Sequence, residues 1–97
     1  MTTGEWLVYM IVCDDETLYT GITNNLARRF EQHLQYKGAK YFRSRQPLRI
    51  VYLEYCADRS SASKREAAIK KLNRSNKKKL IYSQTNTVND FFNQKNS

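Results

Sequence analysis

One stretch of this chain, Tyr19-Thr20-Gly21-Ile22-Thr23-Asn24-Asn25-Leu26-Ala27-Arg28-Arg29-Phe30-Glu31-Gln32-His33, carries residue types that can converge on one phosphate. It begins with Leu18, Tyr19, Thr20 and Ile22, which suit a pleated, half-buried strand. It breaks at Gly21 and restarts as a helix behind Thr23-Asn24-Asn25, whose side chains cap orphan N–H groups. Such a junction aims a phenol, a guanidinium and a helix N-terminus at one anion. At roughly 100° per residue, Leu26, Phe30, His33 and Leu34 share one stripe and Arg29 sits at its edge, while Arg28 points the other way. Arg29 is therefore expected to lean toward the sheet and Arg28 to face solvent.

The flanking elements must position these groups. Trp6 to Cys13 reads as a first strand, Asp14-Asp15-Glu16 as a turn and Thr17 to Ile22 as a second strand, giving a hairpin. Tyr9 then comes close to Tyr19, directly across the pair or diagonally. The first helix spans about Asn25 to Gln35. Leu48 to Tyr55 forms a third strand, with Leu48, Ile50 and Tyr52 on one face, Val51, Leu53 and Tyr55 on the other, and both faces covered. Asp58-Arg59-Ser60-Ser61 opens a helix that runs through Leu72, and a shorter helix from about Lys77 to Tyr82 follows a break at Asn73–Asn76. The expected fold is α+β, a three-stranded antiparallel sheet flanked by helices, in a single domain over residues 1–83. Residues 84–97 are polar and aperiodic and read as a loose tail, with Phe91 and Phe92 the two residues able to dock.

With 97 residues, a 40% hydrophobic fraction and one proline, the chain supports one modest core. A net charge of +8, with basic residues gathered around Arg28–Arg49 and Lys64–Lys79, points to a polyanion, nucleic acid first among them. Gly38-Ala39-Lys40-Tyr41-Phe42-Arg43-Ser44-Arg45 interleaves aromatic and basic groups. That pattern serves phosphate contact and base stacking, or equally a loop whose aromatics plug the core. Cys13 and Cys56 lack metal-ligand spacing and read as small apolar residues. No apolar run approaches the roughly 18 residues of a membrane span, and no secretory leader pattern is present, so a reduced, cytoplasmic setting is expected.

Tyr9, Tyr19-Thr20-Gly21, Arg29 ten residues after Tyr19, His33, and the later Arg65-Glu66 together resemble the GIY-YIG nuclease domain. The first triplet appears as Leu7-Val8-Tyr9, reduced to its tyrosine; the second appears as Tyr19-Thr20-Gly21. The resemblance spans about residues 5 to 82, looks most like the small stand-alone YhbQ-like group, and extends in Asn25-Leu26-Ala27-Arg28-Arg29 to the Slx-type endonucleases.

The resemblance implies metal-dependent hydrolysis of phosphodiesters, in DNA above all. Glu66 would hold Mg²⁺ or Mn²⁺, a setting that one carboxylate plus waters suits. Arg29 would bind the scissile phosphate bidentately, as lysine cannot fully do. Tyr9 or Tyr19 would orient or deprotonate the attacking water, and His33 would carry a proton or serve as a core histidine. Ile22 stands where excision-repair relatives carry a lysine, so no lysine there assists the base. Gly21, Lys40, Tyr41, Arg43, Arg45, Lys70, Lys77, Lys78 and Lys79 are the candidate nucleic-acid contacts. Two other readings stay open: a non-catalytic nucleic-acid-binding module, and an accessory subunit of a DNA repair complex. The family often gains specificity from attached modules, so a protein partner that supplies target choice is also expected.

Overall fold

A computed structural model describes residues 5–35 and 40–89. Lys37, Gly38, Ala39, Phe91 and Phe92, and residues 90–97 of the expected tail, lie outside the described residues. Strands β1 (Trp6–Cys13), β2 (Leu18–Thr23) and β3 (Pro47–Cys56) form one antiparallel sheet in the order β2-β1-β3. The helices are α1 (Leu26–Leu34), α2 (Arg59–Lys70) and α3 (Arg74–Ile81), with a short 3₁₀ turn at Lys40–Arg43. This is the expected α+β architecture.

β1 is central because it is apolar on both sides, as a strand covered by helices must be. Leu7, Tyr9, Ile11 and Cys13 face a layer with Leu26 of α1 and Phe42 of the 3₁₀ turn. Val8 and Met10 face the other layer, with Ala62 and Ile69 of α2 and Leu80 and Ile81 of α3. The hairpin turn closes with Glu16 in the left-handed region at φ 67 and with the Thr17 amide donating to Asp15 Oδ1 at 3.1 Å.

β3 departs from simple alternation. Met10 pairs with Tyr52 but Ile11 pairs with Ile50, so Val51 is an extra, bulged residue, and a second register shift lies between Val12 and Cys13. A bulge moves every residue beyond it to the opposite face. Ile50 therefore joins the Leu53 layer and Val51 the Tyr52 layer, which corrects the facing expected from sequence. Leu48 and Tyr55 are 52% and 44% exposed, so neither is covered. α3 also starts earlier than expected: the Asn73–Asn76 break is its cap and first turn, with Asn73 Oδ1 accepting from the Asn76 amide at 2.8 Å.

Ordered contacts continue past Ser83. Asn86 donates through Nδ2 to the Val51 and Ile81 carbonyls, both at 2.8 Å, and accepts from the Leu53 amide at 3.1 Å. The Thr87 amide donates to the Leu53 carbonyl at 2.9 Å. The start of the expected tail thus satisfies the outer edge of β3, an edge that would otherwise invite pairing with another chain. Asn86→Ala should lower unfolding free energy by about 2 kcal/mol, because it orphans strand-edge groups, and a urea titration reads this directly.

The opposite sheet edge, β2, is where the site lies. α2 is held to the sheet by Arg65, whose Nε lies 3.0 Å from Glu54 Oε1, and Glu54 also accepts from the Tyr52 hydroxyl. The next residue, Glu66, is turned about 100° around the helix and reaches the β2 side.

Candidate active site

Tyr9 pairs with Gly21 across the hairpin, and its phenol lies over that glycine. A Cβ on residue 21 would come within 2.6 Å of the Tyr9 hydroxyl, closer than a methyl group and an oxygen can sit. Gly21 is therefore the opening that lets a ring from the central strand reach the sheet edge. The hydroxyl meets His33 Nε2 of α1 at 2.9 Å. Tyr19 pairs with Ile11, so it is diagonal to Tyr9, with ring centroids 6.2 Å apart. It packs between His33 at 5.4 Å and Phe42 at 4.8 Å.

α1 begins where Asn25 Oδ1 accepts from the Arg28 amide at 3.2 Å. That cap fixes the helix phase expected from sequence: Leu26 and His33 are buried, Arg29 is half-buried and Arg28 is exposed. Arg29 binds no carboxylate among the described residues; its Nη1 donates to the neutral Gln32 amide at 3.1 Å. Tyr9, Tyr19, Gly21, Arg29 and Glu66, drawn from two strands and two helices, line one open pocket of about 360 Å³. Trp6 and Arg59 line it too. Neither had stood out in the sequence, because only the β1–β3 register carries the β3–α2 connection back past Trp6, and no spacing rule reveals that.

Burial sets the protonation states. It pushes the Tyr9 phenol well above the ordinary tyrosine value, with Tyr19 adding to the rise and Arg29 opposing it. Burial, reinforced by the Arg29 charge, lowers His33 from 6.5 to about 4. At neutral pH the pair is thus a neutral phenol against a neutral imidazole. A standing Tyr9 phenolate, favoured by the positive field of Arg29, is not what the site provides, since desolvation outweighs that field. His33 Nδ1 is buried with no hydrogen-bond partner among the described residues.

Glu66 is the one carboxylate lining the pocket among the described residues, and Lys70 Nζ lies 3.2 Å from its Oε2. No group of three or more potential ligand side chains exists among the described residues. This donor set does not make an all-protein cage. It suits a hard cation that keeps most of its water and shares phosphate oxygens with the substrate, as Mg²⁺ does.

The remaining candidate contacts divide. Lys40 and Arg43 are exposed on the 3₁₀ turn, whereas Phe42 is fully buried and plugs the core. Arg45 is engaged locally: it lies 4.3 Å above the Tyr41 ring, and its Nε is 2.7 Å from Asp15 Oδ2. Lys77, Lys78 and Lys79 sit on α3 and do not line the pocket; Lys78 borders a separate groove with Arg74 and Tyr82. No helix among the described residues is long and apolar enough to cross a membrane.

The chain is similar to known proteins along most of its length. The family described as the GIY-YIG catalytic domain matches residues 5–79. A UPF0213 protein of Desulfotalea psychrophila is 56% identical over 77 residues, covering 78% of this chain and 70% of that protein. One from Photorhabdus laumondii is 42% identical over 84 residues, covering 87% and 81%. The solution NMR structure of a UPF0213 protein from Bacillus halodurans, 34% identical, superposes with a TM-score of 0.54 over 84% of this chain and 86% of that one. With both tyrosines, the arginine and the glutamate gathered in one pocket and the match spanning most of its length, the chain belongs to the GIY-YIG catalytic domain family, a family of nuclease domains.

Proposed function

We propose that this protein is an endonuclease that hydrolyses phosphodiester bonds in DNA with the help of a divalent cation. The observation that carries the reading is the convergence of Tyr9, Arg29 and Glu66 on one pocket beside a Tyr9–His33 hydrogen bond. Arg29, bonded to the neutral Gln32 amide and to the Tyr9 phenol rather than to an acid, offers its guanidinium fork to the scissile phosphate and stabilises the charge that builds there. The Tyr9 oxygen takes a proton from the attacking water as its own proton passes to His33 Nε2. Water's O–H bond breaks, its oxygen bonds to phosphorus, and the P–O bond to the leaving oxygen breaks. This concerted route avoids a free phenolate, which the buried site disfavours. It requires an unprotonated imidazole, which the lowered His33 value supplies at neutral pH; the same lowering makes that imidazole a weak acceptor, so the proton passes only as the water–phosphorus bond forms. Glu66 is the residue that would hold Mg²⁺ or Mn²⁺, which when bound supplies positive charge at the leaving oxygen.

The test incubates the protein with single-stranded, duplex, flap and branched DNA, with Mg²⁺, with Mn²⁺ and with a chelator. Metal-dependent cleavage by wild type, lost in Glu66→Gln while binding persists, is the expected result. Tight binding with no cleavage of any substrate under any metal would instead identify a binding module, a reading to which the Glu66–Lys70 ion pair lends weight.

A further inference from the structure

Trp6 and Arg59 stand together at the pocket that also holds Arg29 and Glu66. Trp6 opens β1 and is half-buried; Arg59 is the first residue of α2 and is exposed. The Arg59 guanidinium carbon lies 5.5 Å from the centroid of the Trp6 ring. That is near the outer limit of a cation–π contact, so the guanidinium is free to turn and the ring to accept another plane.

Arg59 is poorly explained by folding alone. A cation in the first turn of a helix opposes the helix dipole, and that turn of α2 contains no acid. Asp58, the adjacent acid, spends its Oδ1 on the Ser61 amide at 2.8 Å. Among the described residues no carboxylate pairs with Arg59. The pocket therefore gathers two arginines without acidic partners, one from each of two helices, around a single glutamate. One scissile phosphate uses one of them. A neighbouring phosphate with a base beside it would use the other together with the indole.

We propose that Trp6 and Arg59 form a subsite for the nucleotide adjacent to the scissile phosphate, the indole stacking on its base and Arg59 holding its phosphate. This rests on the nuclease reading above and adds that the substrate must extend beyond the cut. The indole is a sequence-tolerant platform, because every base presents a π-face.

Trp6 is the only tryptophan in the chain, so its fluorescence reports the subsite alone. In chelator, which prevents cleavage, a short single-stranded oligodeoxynucleotide should quench Trp6 emission to saturation. An abasic strand of equal length should bind with little quenching. Arg59→Ala should weaken the quenching titration about tenfold, the scale of one lost base or phosphate contact. In oligonucleotide cleavage it should raise KM several-fold with a smaller change in kcat. Unaltered Trp6 emission on binding, or an Arg59→Ala loss carried by kcat with KM unchanged, would overturn the subsite. Quenching that responds to Arg59→Ala in a protein that cleaves nothing would support the subsite and refute the nuclease reading.

Discussion

Arg29→Ala should lower the rate of the proposed DNA cleavage by about two orders of magnitude or more, the scale of one lost transition-state donor, while Arg28→Ala should leave it within a few-fold. The two residues are neighbours with identical chemistry, so the contrast isolates position. Arg29 is half-buried, lines the pocket with Tyr9 and Glu66, and is held by the Gln32 amide rather than by an acid. Arg28 is exposed on the outer side of α1, and its own amide serves the Asn25 cap. Losing Arg29 also changes the proton relay, because its charge is one of the two causes of the low His33 value and one of the influences lowering Tyr9. Arg29→Lys should fall between wild type and alanine, keeping charge but losing the planar fork. Single-turnover cleavage at saturating protein separates the chemical step from binding, and circular dichroism checks that each variant is folded. An inactive Arg28→Ala beside an active Arg29→Ala would overturn the assignment.

That contrast was legible in sequence because helix periodicity depends on spacing alone, and Leu26, Phe30 and His33 fix the buried stripe whatever lies opposite. The hairpin was legible for a similar reason: the polar run Asp14–Glu16 between two apolar strands leaves few registers. β3 was not, since a bulge at Val51 reverses its facing without altering composition. Nor was the role of Asn86 and Thr87. A polar segment that docks by hydrogen bonds to a strand edge carries no hydrophobic signature, so it reads like a tail. Asn73 reads as a break in sequence but caps α3, because cap residues and loop residues are the same types. Gly21 could be noticed as a glycine in a strand, but its purpose needs the Tyr9 ring placed above it. Arg59 and Trp6 come together through tertiary structure only, which is why periodicity and spacing passed over them.

Acidification from pH 7 to pH 4 should cost the fold about 3 kcal/mol through His33 alone, and His33→Gln should abolish that part of the loss. In the unfolded chain the imidazole titrates near its ordinary 6.5; in the fold, burial and the Arg29 charge hold it at about 4. Between those values the unfolded state binds a proton that the folded state refuses, so stability rises with pH across the window. The contribution is fully present above about pH 6.5, is lost as pH falls toward 4, and changes no further below both values. Asp15 and Asp58 do not mimic this, because their carboxyls lie below the ordinary 3.8 in the fold and titrate at lower pH. Glutamine can still accept from the Tyr9 hydroxyl, so the variant removes the titration with little loss of packing around Phe42. Urea unfolding of both proteins at half-unit steps from pH 7 to pH 4 gives the difference curve. Parallel curves would mean that the imidazole is not desolvated, and the neutral imidazole proposed to accept from Tyr9 would lose its physical basis. A gap that closes across this window ties the proposed base to the fold: the same burial that makes His33 costly in acid keeps it unprotonated, and able to accept from the Tyr9 hydroxyl, at neutral pH.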